Sequence, residues 1–375
     1  MINKERLLNE FLELVQIDSE TKDESKISGV LKKKFADLGL EVYEDDAAAK
    51  TGHGAGNLIC TLKGNNPKAD PIYFTSHMDT VVPGKGVKPV VEDGYVFSDG
   101  TTILGADDKA GLAAMFEAIR VMKENDWTHG DLQFVITVGE ESGLVGAKAL
   151  DKDKLFAKYG YALDSDGPVG TVVVAAPSQA KIKTVIYGKS AHAGVAPEKG
   201  VSAITIAAKS ISKMPLGRID EETTANIGRF EGGKATNIVA DRVDILAEAR
   251  SLSQEKLEQQ VAKMKAAFEE TAEEMGGKAE VEVKIMYPSF HYDANSQVVK
   301  IAVEAAEKIG RKGNLIKSGG GSDANVINGY GIPTAVLGVG YEEIHTVNER
   351  IPIEELEALA NWVLSIVKTV SDAGE

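Results

Sequence analysis

With a single cysteine, Cys60, in 375 residues, the chain can build neither an internal disulfide framework nor a cysteine-based zinc cluster, because both need partners. No histidine or other base stands beside Cys60 in a nucleophile motif, so it is read as a small buried apolar residue. Long apolar runs are missing as well. None approaches the roughly 18 residues that cross a bilayer. The opening Met1-Ile2-Asn3-Lys4-Glu5-Arg6 has neither an apolar signal core nor a small-residue cleavage site, so a soluble cytoplasmic protein with no membrane partner is expected. Positive charge is in short supply: 42 basic against 57 acidic residues leave a net charge of −15, which repels a phosphate backbone and argues against nucleic acid as a partner.

What is present is globular. The chain is 43% hydrophobic and 26% charged, and its length exceeds one ordinary core, so two domains are expected. Apolar periodicity predicts amphipathic helices near 2–16 and 24–38 and a third over 108–124. β-Rich runs mark strands at Asn57–Leu62, Ile72–Ser76, Leu132–Val138 and Tyr161–Leu163. That alternation specifies an α/β fold, a mixed sheet flanked by helices. After Pro177 the pattern changes to strand 179–188, helix 201–214, strands 223–231 and 240–250, helix 253–276 and strand 279–287. This is the β-α-β-β-α-β order of a ferredoxin-like domain. From about 290 the α/β style returns, with a helix at 296–309, a strand at 333–339 and a helix at 353–370. The expected division is therefore a discontinuous catalytic domain, 1–177 and 289–375, with 178–288 inserted into it. Pro177 and Pro288 mark the crossings.

The chemistry-bearing residues cluster at strand ends. Ile72–Ser76 delivers His77, with Asp79 two residues on, at the edge of the sheet where α/β proteins bind ligands. H-x-D alone is common on surfaces. Gly105-Ala106-Asp107-Asp108-Lys109-Ala110-Gly111 is an acidic turn feeding a helix; a helix cap explains one aspartate, and two beside small residues suit a ligand loop. Leu132–Val138 ends in Gly139-Glu140-Glu141-Ser142, where one glutamate can hold a metal while its neighbour takes a proton from the attacking water. Tyr161–Leu163 delivers Asp164, and His345 follows the 333–339 strand.

In these motifs and their order the chain resembles the co-catalytic zinc aminopeptidases, carboxypeptidases and aminoacylases, and within that family the peptidase T-like tripeptidases. The resemblance covers nearly the whole length. It implies two divalent ions held by His77, Asp107, Glu141, Asp164 and His345: Asp107 bridging, His77 and Asp164 on one ion, Glu141 and His345 on the other. Asp79 would orient His77, and Glu140 falls on the general base. Three anionic ligands against two dications leave a formal positive charge that can acidify water and polarise a carbonyl. Imidazole and carboxylate without thiolate suit Zn²⁺, and Mn²⁺ or Co²⁺ would be accepted too. Asp rather than Glu at position 164 resembles the aminopeptidase members, whereas Ala110 stands where many relatives have glycine.

The inserted segment adds further matches. Gly188-Lys189-Ser190-Ala191-His192-Ala193-Gly194 resembles the family segment whose histidine stabilises the oxyanion, often from a partner subunit, so a homodimer through the inserted lid domain is implied. Asn237 and Arg250 match polar residues that bind substrate backbone and carboxylate; an ordinary surface arginine is the competing account. The run Ser318-Gly319-Gly320-Gly321-Ser322-Asp323-Ala324-Asn325, with Gly320 and Ser322 as its candidate binding residues, is either an amide cradle for a carboxylate or a turn. His53, His129 and His291 match no motif and receive no role. The function expected is hydrolysis of short peptides as a tripeptide aminopeptidase. A carboxypeptidase or N-acyl amino acid amidohydrolase is the alternative, and a non-catalytic metal-dependent binding protein the third reading, against which an intact Glu140 speaks.

Overall fold

The computed structural model describes residues 1–374. The chain forms two compact units: Met1–Val174 with Tyr292–Lys317 and the residues from Ser322 onward, and Ala175–His291 with Ser318–Gly321. These boundaries differ from the sequence expectation of 177/178 and 288/289, and Ser318–Gly321 falls in the second unit rather than with 289–375. The strand Thr171–Ala176 is the reason for the first difference. Its last residues, Ala175 and Ala176, pair with His291 and Phe290, so the second unit begins before Pro177.

The first unit is built on a mixed sheet. In spatial order its strands are Glu41–Glu44, Leu58–Leu62, Leu132–Thr137, Ile72–His77, Tyr159–Ser165, Thr334–Gly338 and Thr171–Ala176. Ile72–His77 runs parallel to both Leu132–Thr137 and Tyr159–Ser165, and Thr334–Gly338 is parallel to Tyr159–Ser165. The strands at either side are antiparallel. Alternate residues feed two cores. Phe74, Phe134, Leu58 and Cys60 point into the large one with Phe11, Phe35, Phe116 and Trp362, whereas Tyr73, Val135 and Ile59 pack with Leu150 and Ile327 on the opposite face. Both faces are covered, which is why these strands read as continuous apolar runs rather than alternating ones. Each large side chain so buried contributes about 1.5–3 kcal/mol, and Phe35 meets Phe116 with ring centroids 4.5 Å apart. Cys60 is buried, and burial alone pushes its thiol up, so it takes no part in chemistry.

Several elements were not expected. A hairpin, Pro89–Glu92 and Tyr95–Ser98, pairs with Arg350–Pro352 to make a separate three-stranded sheet. Its first strand is mostly exposed, so it lacks the apolar signature of the buried strands. Thr171–Ala176 and Asn314–Lys317 were also unassigned in the sequence.

The second unit is an antiparallel sheet in the order Gly217–Arg218, Thr223–Gly232, Arg242–Ser251, Ser178–Tyr187, Lys278–Tyr287. Apart from the short first strand, the chain order is β-α-β-β-α-β, with helices Ala203–Lys213 and Gln254–Glu274. Ala180, Ile182, Ile186, Val243, Ile245 and Ala249 face these helices and form a second core with Met264 and Phe268. Lys181, Lys183 and Leu246 alternate with them on the open face. Among the described residues, no helix is long and apolar enough to cross a membrane.

Candidate metal centre

The C-terminal ends of the parallel strands converge in the first unit. His77 is the last residue of its strand and sits in register with Thr137, two residues before Gly139. The intervening turn needs glycine: Gly139 has φ +57°, and a Cβ there would lie 2.4 Å from Val145 Cγ2 and 2.6 Å from His53 Nε2. That turn sets Glu140 and Glu141 beside His77. From the neighbouring strand Asp164 arrives, while Asp107 comes from the turn after Gly105, itself at φ +81°. The Asp107–Asp108 peptide is cis.

Asp107 stands between two imidazoles. Its Oδ1 is 3.0 Å from His77 Nε2, and its Oδ2 is 3.2 Å from His345 Nε2. His77 Nε2 also lies 3.7 Å from Asp164 Oδ1, and His345 Nε2 lies 2.9 Å from Glu141 Oε1. The candidate ligand atoms of His77, Asp107 and Asp164 lie within 4.8 Å of one another, as do those of Asp107, Glu141 and His345, and those of His77, Glu140 and Glu141.

Asp79 plays a wider part than the sequence suggested. Its backbone carbonyl, 2.8 Å away, accepts from His77 Nδ1, whereas its carboxylate is 3.5 Å from that nitrogen. The carboxylate instead accepts the backbone amides of Glu140, at 3.0 Å, and Glu141, at 3.3 Å. One buried aspartate thus fixes the ring of His77 and the turn that carries both glutamates.

The electrostatics are those of carboxylates gathered around two imidazoles. Burial disfavours charge on His77, yet hydrogen bonds to Asp107, Asp164 and Asp79 outweigh it and hold the imidazole well above its ordinary range. His345 is raised to about 10 by hydrogen bonds to Asp107 and Glu141. Burial would raise Asp107, but the two imidazoles hold it below the carboxylate range. Burial pushes Asp164 up to about 6 against the opposing hydrogen bond from His77, and burial followed by the charge of Asp164 holds Glu140 well above its usual value. Asp108 is fully buried, and neither of its carboxylate oxygens has a hydrogen-bond partner among the described residues. Two histidine nitrogens and the oxygens of three carboxylates, mostly shielded from water and short of positive charge, fit a pair of divalent ions. The absence of sulfur favours metals that accept nitrogen and oxygen.

The other expected residues lie elsewhere. His192, Asn237, Arg250 and Gly320 belong to the second unit, and Ser322 to the first. His192 is exposed, and its Nδ1 accepts the amides of Gly194 and Val195, both at 3.1 Å, which places the ring proton on Nε2. The segments of His192 and Asn237 are joined, Ala193 donating to the Asn237 carbonyl at 2.9 Å. Arg250 is half-buried and committed in part to Glu248, Nε to Oε1 at 2.8 Å, with Nη1 3.3 Å from the Gly319 carbonyl. The amide of Gly320 is taken by Ser318 Oγ at 3.0 Å. Ser322 is buried at the start of a short helix, Asp323–Gly329, where its amide donates to Asn325 Oδ1 at 3.0 Å. Of the two accounts of this glycine run, these bonds favour the turn.

Five side chains given no role from the sequence also contribute. The hydroxyl of buried Tyr341 donates to Asp164 Oδ1 at 3.4 Å. Asp323 is buried, accepts from Thr137 Oγ1, and is raised to about 7 by burial, which that hydrogen bond partly opposes. His53, given no role above, places Nε2 2.8 Å from Ser142 Oγ, and Thr21 Oγ1 donates to the same oxygen at 3.0 Å, bracing the glutamate turn. Glu349 grips the turn of Asp107 through backbone amides. No spacing rule links any of these to the ligands. Only the position of Ser142, next to the paired glutamates, was a usable signal.

Known proteins are similar to this chain over most of its length. The model of Peptidase family M20/M25/M40 matches residues 73–369. The crystal structure of aminopeptidase PepT from Bacillus cereus is 70% identical, covers 98% of this chain and 99% of that one, and superposes with a TM-score of 0.95. A tripeptidase structure from Staphylococcus aureus is 59% identical over 99% of this chain and 100% of that one, with a TM-score of 0.97. A Peptidase T of Shouchella clausii is 28% identical over 98% of this chain and 99% of its own length.

Proposed function

The chain belongs to peptidase family M20/M25/M40, and from that premise we propose that it is a tripeptide aminopeptidase in which Glu140 is the general base. The observation that carries this reading is the placement of Asp107 between the imidazoles of His77 and His345, with the half-buried Glu140 clustered on His77. The names borne by the similar aminopeptidase and tripeptidase structures supply the substrate class.

His77, Asp107 and Asp164 would hold one divalent ion, and Asp107, Glu141 and His345 the other; we assign zinc, with manganese or cobalt as substitutes. When bound, such ions acidify water and polarise the scissile carbonyl. Glu140 takes the proton released by the attacking water and returns it to the leaving amine. Asp79 keeps Glu140 in place through its amide. Tyr341 restrains Asp164.

To the second unit we assign the parts of lid and dimerisation domain. His192, with its proton on Nε2, is a ready donor to an oxyanion. Asn237 and Arg250 are assigned to substrate binding.

The test is hydrolysis of a free tripeptide and of its N-acetylated and C-amidated forms by metal-loaded protein, with Glu140→Gln alongside. Turnover that requires an open amino terminus and disappears in the variant supports the proposal. Cleavage of the acetylated form moves the enzyme to the carboxypeptidase or acylase branch, and no turnover over a broad peptide panel would favour a binding protein.

A further inference from the structure

His345 reaches the site on a loop whose backbone is not at rest. Glu343 and His345 adopt φ of +56° and +63°, a left-handed conformation that side-chain-bearing residues rarely take. Something must hold the loop in this shape. Its base is closed by Glu342 and Arg350, which exchange backbone hydrogen bonds at 2.8 and 3.0 Å and pair through Arg350 Nε and Glu342 Oε2 at 2.6 Å. Within the loop, Thr346 Oγ1 donates to the Glu343 carbonyl at 2.7 Å and accepts the Asn348 amide at 3.1 Å, and Ser98 Oγ donates to the Val347 carbonyl at 3.3 Å.

Glu349 ties this loop to the turn of Asp107. Its carboxylate is buried and accepts three backbone amides from the turn that bears the other ligand. Oε2 takes Leu104 and Gly105, both at 2.8 Å, and Oε1 takes Asp107 at 3.0 Å. Among the described residues, its carboxylate hydrogen-bonds to backbone amides and to no ligand side chain. We propose that Glu349 is a positioning residue that locks the His345 loop to the Asp107 turn, so that the ion between Asp107, Glu141 and His345 meets preformed ligands. This rests on the two-ion reading above. The chemistry requires a carboxylate: three N–H donors divide between two acceptor oxygens, whereas a glutamine offers one oxygen and turns an NH₂ group against an amide N–H. Asp107 contributes to both ion sites, yet only one of them also depends on His345, so loss of the clamp should fall unequally on the two ions.

The experiment compares wild type, Glu349→Gln and Glu349→Asp by zinc competition against a chromophoric chelator, with melting of the metal-free proteins and amide hydrogen exchange over residues 101–108. Affinity for one of the two ions should drop about 10- to 100-fold in the glutamine variant. Exchange should quicken at the amides of Leu104, Gly105 and Asp107 while the rest of the unit stays protected. The aspartate variant, which keeps both oxygens but is one methylene shorter, should recover part of the affinity, and it carries the test if the glutamine variant does not fold. Wild-type affinity for both ions in a folded variant would overturn the proposal. So would an equal loss of both ions accompanied by loss of protection throughout the unit, which marks a purely structural residue. Wild-type protein that binds no zinc would instead bring down the two-ion reading, and this inference with it.

Discussion

One carboxylate oxygen of Asp79 accepts the backbone amide of Glu140 at 3.0 Å. The second accepts that of Glu141, so the residue expected only to orient His77 also sets the height of the glutamate turn. Asparagine in its place keeps one acceptor and points an NH₂ group at the other amide. Asp79→Asn should therefore lower kcat about 10- to 100-fold while the variant still folds and binds metal. Steady-state kinetics beside metal analysis decides this, and unchanged kcat would mean the turn holds itself.

Asp107 is expected to matter most for metal. Its two oxygens serve different imidazoles, and an amide cannot supply two anionic oxygens. Asp107→Asn should retain fewer than two ions after gel filtration and lose more than about 100-fold in activity. Elemental analysis of the purified variant is the check; two tightly held ions would exclude a bridging role.

The glutamate turn has no room for a side chain at Gly139. Gly139→Ala must displace Val145 or His53 and place alanine at φ +57°, at a cost of about 1–3 kcal/mol. A lowered urea midpoint is expected, together with reduced kcat as Glu140 shifts. An unaltered midpoint would show that the turn relaxes freely.

Asp323 gives the protein a pH dependence of its own. Burial raises its carboxyl from 3.8 to about 7 in the fold, so the stability linked to its proton is fully present below pH 3.8 and is lost as pH rises through about 7. His77 and His345 lose stability in the same direction as pH rises, so the comparison must be with a variant. Asp323→Asn, which can still accept from Thr137, should show a shallower fall in melting temperature between pH 5 and 8 in the presence of chelator. Parallel curves for the two proteins would remove Asp323 from the account.

Much of the centre was legible because strands deliver it. His77, Glu140 and Asp164 follow runs whose burial on both faces makes them conspicuous, and Asp107 stands at the head of a long apolar helix. The main helices were legible for the same reason, from amphipathic periodicity, as at Lys4–Val15 and Ile353–Ala373. What escaped acts through backbone or through packing. Glu349 is one acidic residue among many until its partners, three amides over two hundred residues earlier, are placed beside it. His53 looked like a loop histidine because Ser142, its partner, is distant in sequence. The hairpin at Pro89–Ser98 was missed because half of it faces solvent.

The ligands are also spread along the chain in a way that orders events in time. His77, Asp107, Glu141 and Asp164 all lie in the first half, and His345 with its anchor Glu349 near the end. A ribosome adding 5–20 residues per second needs roughly 10–50 s to pass from the first of these histidines to the last. Until His345 is made, Asp107 and Glu141 have no second imidazole to meet, and Asp164 lies on a strand whose parallel neighbour, Thr334–Gly338, is also still to come. Synthesis order thereby sets activation: a peptide-cleaving centre cannot be completed until the chain has been made as far as His345 and Glu349.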